Sequence, residues 1–118
     1  MTTAYDSSRY RAEPTAYAAR PGVEFEVQIR HADRETFEEA RAWNQRVEGM
    51  AGVAARNERG EMLFIDHEGY GGWTTPGGRV EDGESFRAGA VRECHEESGV
   101  DVDICRPLFV FQFVNRYE

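Results

Sequence analysis

Between residues 23 and 30 the chain alternates: Val23, Phe25, Val27 and Ile29 are apolar, while Glu24, Glu26, Gln28 and Arg30 are polar or charged. A period of two places each set on one face, which predicts a half-buried strand. Past Asp33, a side chain suited to an N-cap, the period lengthens to Phe37, Ala40 and Trp43. That spacing predicts a helix to about Val47 whose narrow apolar stripe docks on a sheet. Glu35, Glu38 and Glu39 in its early turns and Arg41 and Arg46 in its later ones suit the helix dipole. Strand patterns return at residues 51–56 and 61–66, separated by Asn57-Glu58-Arg59-Gly60, a hairpin-type turn. Residues 67–72 (HEGYGG) predict a flexible loop, and both a substrate-facing lid and a plain connection fit it. Pro76, Gly77 and Gly78 then force a sharp change of direction. Residues 100–104 and 107–114 predict two further strands. An open edge beside Phe109, Phe111 and Phe113 would be an association hazard. Residues 1–22 are polar and broken by Pro14 and Pro21, with Tyr5, Tyr10 and Tyr17 as their aromatics; they predict an N-terminal arm ahead of a domain over residues 23–118.

Residues 78–100 read GRVEDGESFRAGAVRECHEESGV, and a second helix is expected from near Glu84-Ser85 until Gly99 supplies a left-handed cap. On it Glu96 falls about 60° to one side of Glu93 and Glu97 about 40° to the other. Carboxylates sharing so narrow an arc repel one another, so a solvated helix gains nothing from them. A hard divalent cation converts the repulsion into binding, because Mg²⁺ favours a few carboxylates together with water and phosphate oxygens. Val91, His95 and Ser98 point the other way, which marks His95 as a packed or surface residue rather than a ligand. Gly89 costs the helix about 1 kcal/mol relative to alanine. Close backbone approach, room for water and a tolerated flaw all fit it.

The same segment resembles the Nudix box, G-x5-E-x7-R-E-U-x-E-E-x-G-U with U bulky and apolar, without a gap. Gly78, Glu84, Arg92-Glu93, Glu96-Glu97 and Gly99 take the fixed positions, and Cys94 and Val100 the apolar ones. Chance coincidence of the seven fixed positions is on the order of 10⁻⁸ per start, which excludes accident. Cys94 is the mild departure, smaller than the usual aliphatic residue but still suited to burial. The preceding W-x-x-P-G-G run, Trp73 to Gly78, extends the likeness back to about residue 51.

The resemblance implies an α+β fold of α-β-α type, a mixed sheet sandwiched by helices. It also implies that the family's later strands and C-terminal helix do not follow here, so that either the chain is truncated or strands from the N-terminal region or a partner complete the fold. The implied activity is a pyrophosphohydrolase acting on acid anhydrides, cleaving a nucleoside diphosphate linked to another group with Mg²⁺ or Mn²⁺ as cofactor. By the same likeness Glu96 and Glu97 are metal ligands, Glu93 is a further ligand or the base, and the Gly78 carbonyl is an additional ligand. Arg92 with Glu84 forms a supporting ion pair. Arg79 either reaches a substrate phosphate or is simply solvated, and Glu81 and Asp82 are better read as a solvated face. The second functional class is a non-catalytic Nudix-like module that binds a nucleotide or a protein. ADP-ribose, oxidised dNTPs, dinucleoside polyphosphates and nucleotide sugars are all admissible substrates.

With 118 residues, 40% apolar and 31% charged, the chain suits one globular domain rather than a disordered segment. The net charge of −8 argues against a nucleic-acid duplex as partner, since that needs a basic face. A small-molecule nucleotide remains compatible where metal ions neutralise the site locally. All fourteen basic residues are arginine, which suits a salt-adapted protein or a GC-rich genome equally. Two cysteines, Cys94 and Cys105, make no disulfide framework, and a reducing, cytoplasmic setting is expected. Apolar runs such as residues 108–111 are far shorter than a membrane span, so no membrane partner is expected. A homodimer stays open.

Overall fold

The computed structural model of the chain describes residues 3–4, 12–47 and 49–117. It divides into two units: Met1–Arg46 with Arg106–Glu118, and the continuous stretch Val47–Cys105.

The first unit is built on a mixed three-stranded sheet of order β1-β7-β2. β1 (Thr3–Ala4) runs antiparallel to the end of β7 (Phe109–Tyr117). β2 (Glu24–Ala32) runs parallel to β7, from Glu24 opposite Phe109 to Ala32 opposite Tyr117. Between β1 and β2 lies α1 (Ala12–Ala18), where the sequence suggested only an arm. Pro14 is tolerated because it falls in the first turn, where an N–H has no partner within the helix. Tyr17 donates from its hydroxyl to Glu13 one turn earlier, and the Arg20 guanidinium lies 5.2 Å from its ring centre. Tyr5 and Tyr10 fall outside the described residues. α2 (Arg34–Arg46) starts as expected, with the Asp33 carboxylate accepting the Thr36 N–H at 2.7 Å. That bond holds the Asp33 carboxyl below its usual range. Phe37 is buried with its ring centre 6.1 Å from that of Tyr117, so α2 docks on β7 through the predicted stripe.

The alternation in β2 needs correction on burial. Phe25, Val27 and Ile29 share a face, but they are 47%, 46% and 49% exposed. A period of two fixes which residues face together; it does not supply a layer to cover them.

In the second unit, β3 (Gly49–Gly52) pairs antiparallel with β6 (Gly77–Val80), and α3 (Phe86–Ser98) lies against both. Val53, Ala55, Ala90 and the fully buried Cys94 form the core, with Ala51, Leu63, Val102 and Ile104 packed around it. The predicted hairpin over residues 51–66 makes its turn but hardly any ladder. Asn57 Oδ1 accepts the N–H groups of Arg59 and Glu61 at 3.0 and 2.9 Å, and Arg56 and Met62 form a lone bridge. β4 (Ile65–His67) instead pairs with β5 (Gly72–Thr74) across a 3₁₀ turn, Glu68–Tyr70, where a loop was expected.

Residues 100–104 form no strand, another correction. Val102 and Ile104 alternate because they pack on the core, while Asp101, Asp103 and Cys105 are exposed. The described strands therefore make three sheets, of three, two and two strands, where the resemblance implied one sandwiched sheet.

Candidate active site

α3 presents the acidic residues because both its ends are fixed and its inner face is buried. The Ser85 hydroxyl accepts the Ala88 N–H at 2.9 Å, and Gly99 at φ 74° donates its N–H to the His95 carbonyl at 2.7 Å. With Ala90 and Cys94 turned into the core, Glu93 and Glu97 lie at the margin of the buried face, their side chains 17% and 18% exposed. Glu96 stands further out at 57%.

Arg92 joins most of the acidic set. Its Nε and Nη2 donate to the two oxygens of Glu84 at 2.8 and 3.0 Å, a bidentate pair. Nη1 donates to Glu93 at 3.0 Å and Glu96 at 3.2 Å, and Nη2 also reaches the Arg79 carbonyl at 2.8 Å. The like-charge repulsion expected from the sequence is thus relieved by a guanidinium on the same helix. Sequence reasoning paired Arg92 with Glu84 alone, although Glu96 at i+4 was a legible signal for the second contact.

The pair with Arg92, assisted by the Glu81 N–H at 3.0 Å, holds the Glu84 carboxyl below its ordinary value, and the Arg92 pKa is raised chiefly by Glu84. Because the folded value lies below the ordinary 4.5, Glu84 stabilises the fold fully above that pH and loses its contribution as pH falls through the folded value. The gap in urea midpoint between the wild type and Glu84→Gln is therefore expected to be constant from pH 7 to about 5 and to close on further acidification. A gap that widened in acid would contradict this pairing.

The glycines of β6 bring the strand onto these side chains. A Cβ on Gly78 would fall 2.5 and 2.7 Å from the two oxygens of Glu93, so only glycine lets this carboxylate lie on the strand. The Gly77 N–H donates to Oε1 of Glu97 at 2.8 Å. Gly89 faces Glu84 Oε1 and Val80 Cγ2, which a Cβ would meet at 3.0 and 3.1 Å. Of its three sequence readings, close approach is the one the structure supports.

The structure thus gathers Glu84, Arg92, Glu93 and Glu96 with the Arg79 carbonyl, and sets Glu97 against Gly77. The Arg79 side chain is exposed on β6, and Glu81 and Asp82, just beyond that strand, are exposed as well. His95 is a surface residue bonded to Asp101 at 2.8 Å. Sequence reasoning missed His67, whose Nε2 lies 3.8 Å from Oε2 of Glu97. Nothing in the local spacing announces a contact between β4 and a helix thirty residues on.

Among the described residues no three His, Cys, Asp or Glu side chains converge as a metal cage. The chemistry of the donor set nevertheless suits a hard divalent ion. Glu93, Glu96 and Glu97 are carboxylates with several lone pairs each, and the Glu93 carboxylate lies where a Cβ on Gly78 would otherwise stand.

This combination of an N-capped acidic helix, an arginine-centred carboxylate network and a glycine strand beneath it accords with the family comparison. The chain belongs to the NUDIX domain family, whose sequence profile matches residues 46–118. Nudix hydrolases generally use divalent metal ions. The chain is similar to a putative 8-oxo-dGTP diphosphatase of Bacillus subtilis, 37% identical over 60 residues that cover 51% of this chain and 40% of that protein. It is also similar to Nudix hydrolase 5 of Arabidopsis thaliana, 39% identical over 62 residues, 48% of this chain and 20% of that one. An RNA pyrophosphohydrolase of Haemophilus influenzae is 33% identical over 67 residues, 57% of this chain and 34% of the relative. The matched region thus spans well under half the length of each. No solved structure matches the chain. Among the described residues no helix is long and apolar enough to cross a membrane.

Proposed function

We propose that the chain hydrolyses the pyrophosphate bond of a nucleoside diphosphate linked to a second group, with Mg²⁺ or Mn²⁺ as cofactor. The observation that carries this reading is that Gly78, Glu84, Arg92, Glu93, Glu96 and Glu97 occupy Nudix spacing and gather at the β6–α3 junction. The printed functions of the relatives, a diphosphatase and a pyrophosphohydrolase, support the same class. Water attacks one phosphorus, the bridging P–O bond breaks, and the two halves leave as phosphates.

Glu96 and Glu97 would hold the ion, with Glu93 and the Gly78 carbonyl as further donors. When bound, the ion neutralises phosphate charge and acidifies a water. Glu93 would otherwise act as the base, oriented by the Arg92–Glu84 pair. Glu97 is kept in place by the Gly77 N–H. Arg79, exposed on β6, would either meet a phosphate or stay solvated. Two free thiols, Cys94 and Cys105, suit a reducing cytoplasmic setting.

The second reading, a non-catalytic nucleotide- or protein-binding module, is favoured by one observation: Arg92 already neutralises Glu93 and Glu96. Chromatography of the cleaved products with Mg²⁺ separates the two across ADP-ribose, oxidised dNTPs, dinucleoside polyphosphates, nucleotide sugars and 5′-triphosphorylated RNA. The expected result is turnover of at least one class that EDTA removes and Glu97→Gln lowers by about 10²-fold or more. Intact Mn²⁺ binding without turnover of any class would leave the binding module.

A further inference from the structure

β4 ends at His67, and the chain makes its 3₁₀ turn over Glu68–Tyr70 before re-entering as β5. His67 Nδ1 accepts the Gly69 N–H at 3.0 Å, capping that turn. An accepting Nδ1 carries no hydrogen, so the neutral ring carries it on Nε2. Nε2 lies 3.8 Å from Oε2 of Glu97, the carboxylate whose other oxygen accepts the Gly77 N–H. Gly69 is fitted to the ring, since a Cβ there would fall 3.0 Å from Cε1 and 3.1 Å from Nδ1.

The geometry points to His67 as a positioning residue for Glu97. The turn holds the ring in one tautomer, and the ring offers its N–H to the outer oxygen of the carboxylate. The separation exceeds a direct hydrogen bond, and a small rotation of the ring would close it. With Gly77 on Oε1 and His67 beside Oε2, the carboxylate is located from both oxygens. Groups that orient a metal ligand in this way are typically worth 10- to 100-fold in metal affinity. The inference rests on the reading of Glu97 as a metal ligand, and it makes the turn after β4 part of the site.

Titrating Mn²⁺ into the full chain by calorimetry tests this without any substrate. His67→Ala is expected to weaken binding by about 10-fold while the melting temperature stays near that of the wild type. His67→Gln, whose amide also carries an N–H, should recover part of the loss. Gly69→Ala, which displaces the ring, should reproduce the alanine defect. Long-range ¹H–¹⁵N spectra of the neutral ring should place the His67 hydrogen on Nε2. Wild-type affinity in His67→Ala, with binding lost in Glu97→Gln, would overturn the positioning role and leave the metal reading standing. A hydrogen on Nδ1 would overturn it too. No Mn²⁺ binding by the wild type, or undiminished binding in Glu97→Gln, would overturn both.

Discussion

Gly78→Ala is expected to leave the fold standing and to lower turnover by about 10²-fold or more, the scale of losing one electrostatic group at a reacting centre. Its new Cβ would land on the Glu93 carboxylate, the far end of a flexible side chain, which can swing away at small cost in stability. What is lost is the position of Glu93 beside the strand and its bond to Arg92. Gly77→Ala should fail in the opposite manner. There the Cβ would meet the Ala51 carbonyl oxygen at 2.7 Å and the Gly52 Cα at 2.8 Å, both backbone atoms of the paired strand β3. Backbone in a ladder cannot swing aside, and overpacking of this kind costs about 1–3 kcal/mol. Urea unfolding and Mg²⁺-dependent substrate cleavage, measured on both variants, separate the two effects. Wild-type turnover in Gly78→Ala would remove Glu93 from the reaction.

The second large effect is expected at Arg92. Arg92→Lys keeps the charge but loses the fork, and an ammonium group cannot reach Glu84, Glu93, Glu96 and the Arg79 carbonyl together. Turnover should fall by about 10- to 100-fold, as when the partners of a metal ligand are removed. The Glu84 carboxyl, now held low chiefly by the guanidinium, should return toward its ordinary value, which an NMR titration of the side chain would follow. An unchanged Glu84 titration together with unchanged turnover would mean that the network is ornamental to the chemistry.

Of the described elements, α2 and α3 were legible in the sequence, whereas α1 and the strand pairings were not. Asp33, Ser85 and Gly99 act on N–H and carbonyl groups within one turn of themselves, so α2 and α3 begin and end close to where the letters suggest. The pairing of β3 with β6, of β4 with β5 and of β2 with β7 depends on partners that no local window contains. Residues 100–104 show the cost of reading alternation alone, since Val102 and Ile104 bury the expected face without joining a ladder. At the site the acidic residues could be named from spacing, and the Gly78 constraint is compatible with that spacing. The Gly77 bond to Glu97 and the approach of His67 arise only when β4, β6 and α3 come together.

The parallel match of β2 with β7 has a consequence for how the polypeptide assembles. All of Val47–Cys105 intervenes between those two strands, whereas that intervening stretch closes its own contacts over much shorter distances along the chain. Closing the longer loop carries the greater entropic cost and comes more slowly. During synthesis the glutamate-bearing helix can therefore settle while β2 still awaits its neighbour. Until β7 has left the ribosome, β2 keeps an unpaired backbone edge beside the exposed Phe25, Val27 and Ile29, a target for chaperones and for aggregation in the nascent chain.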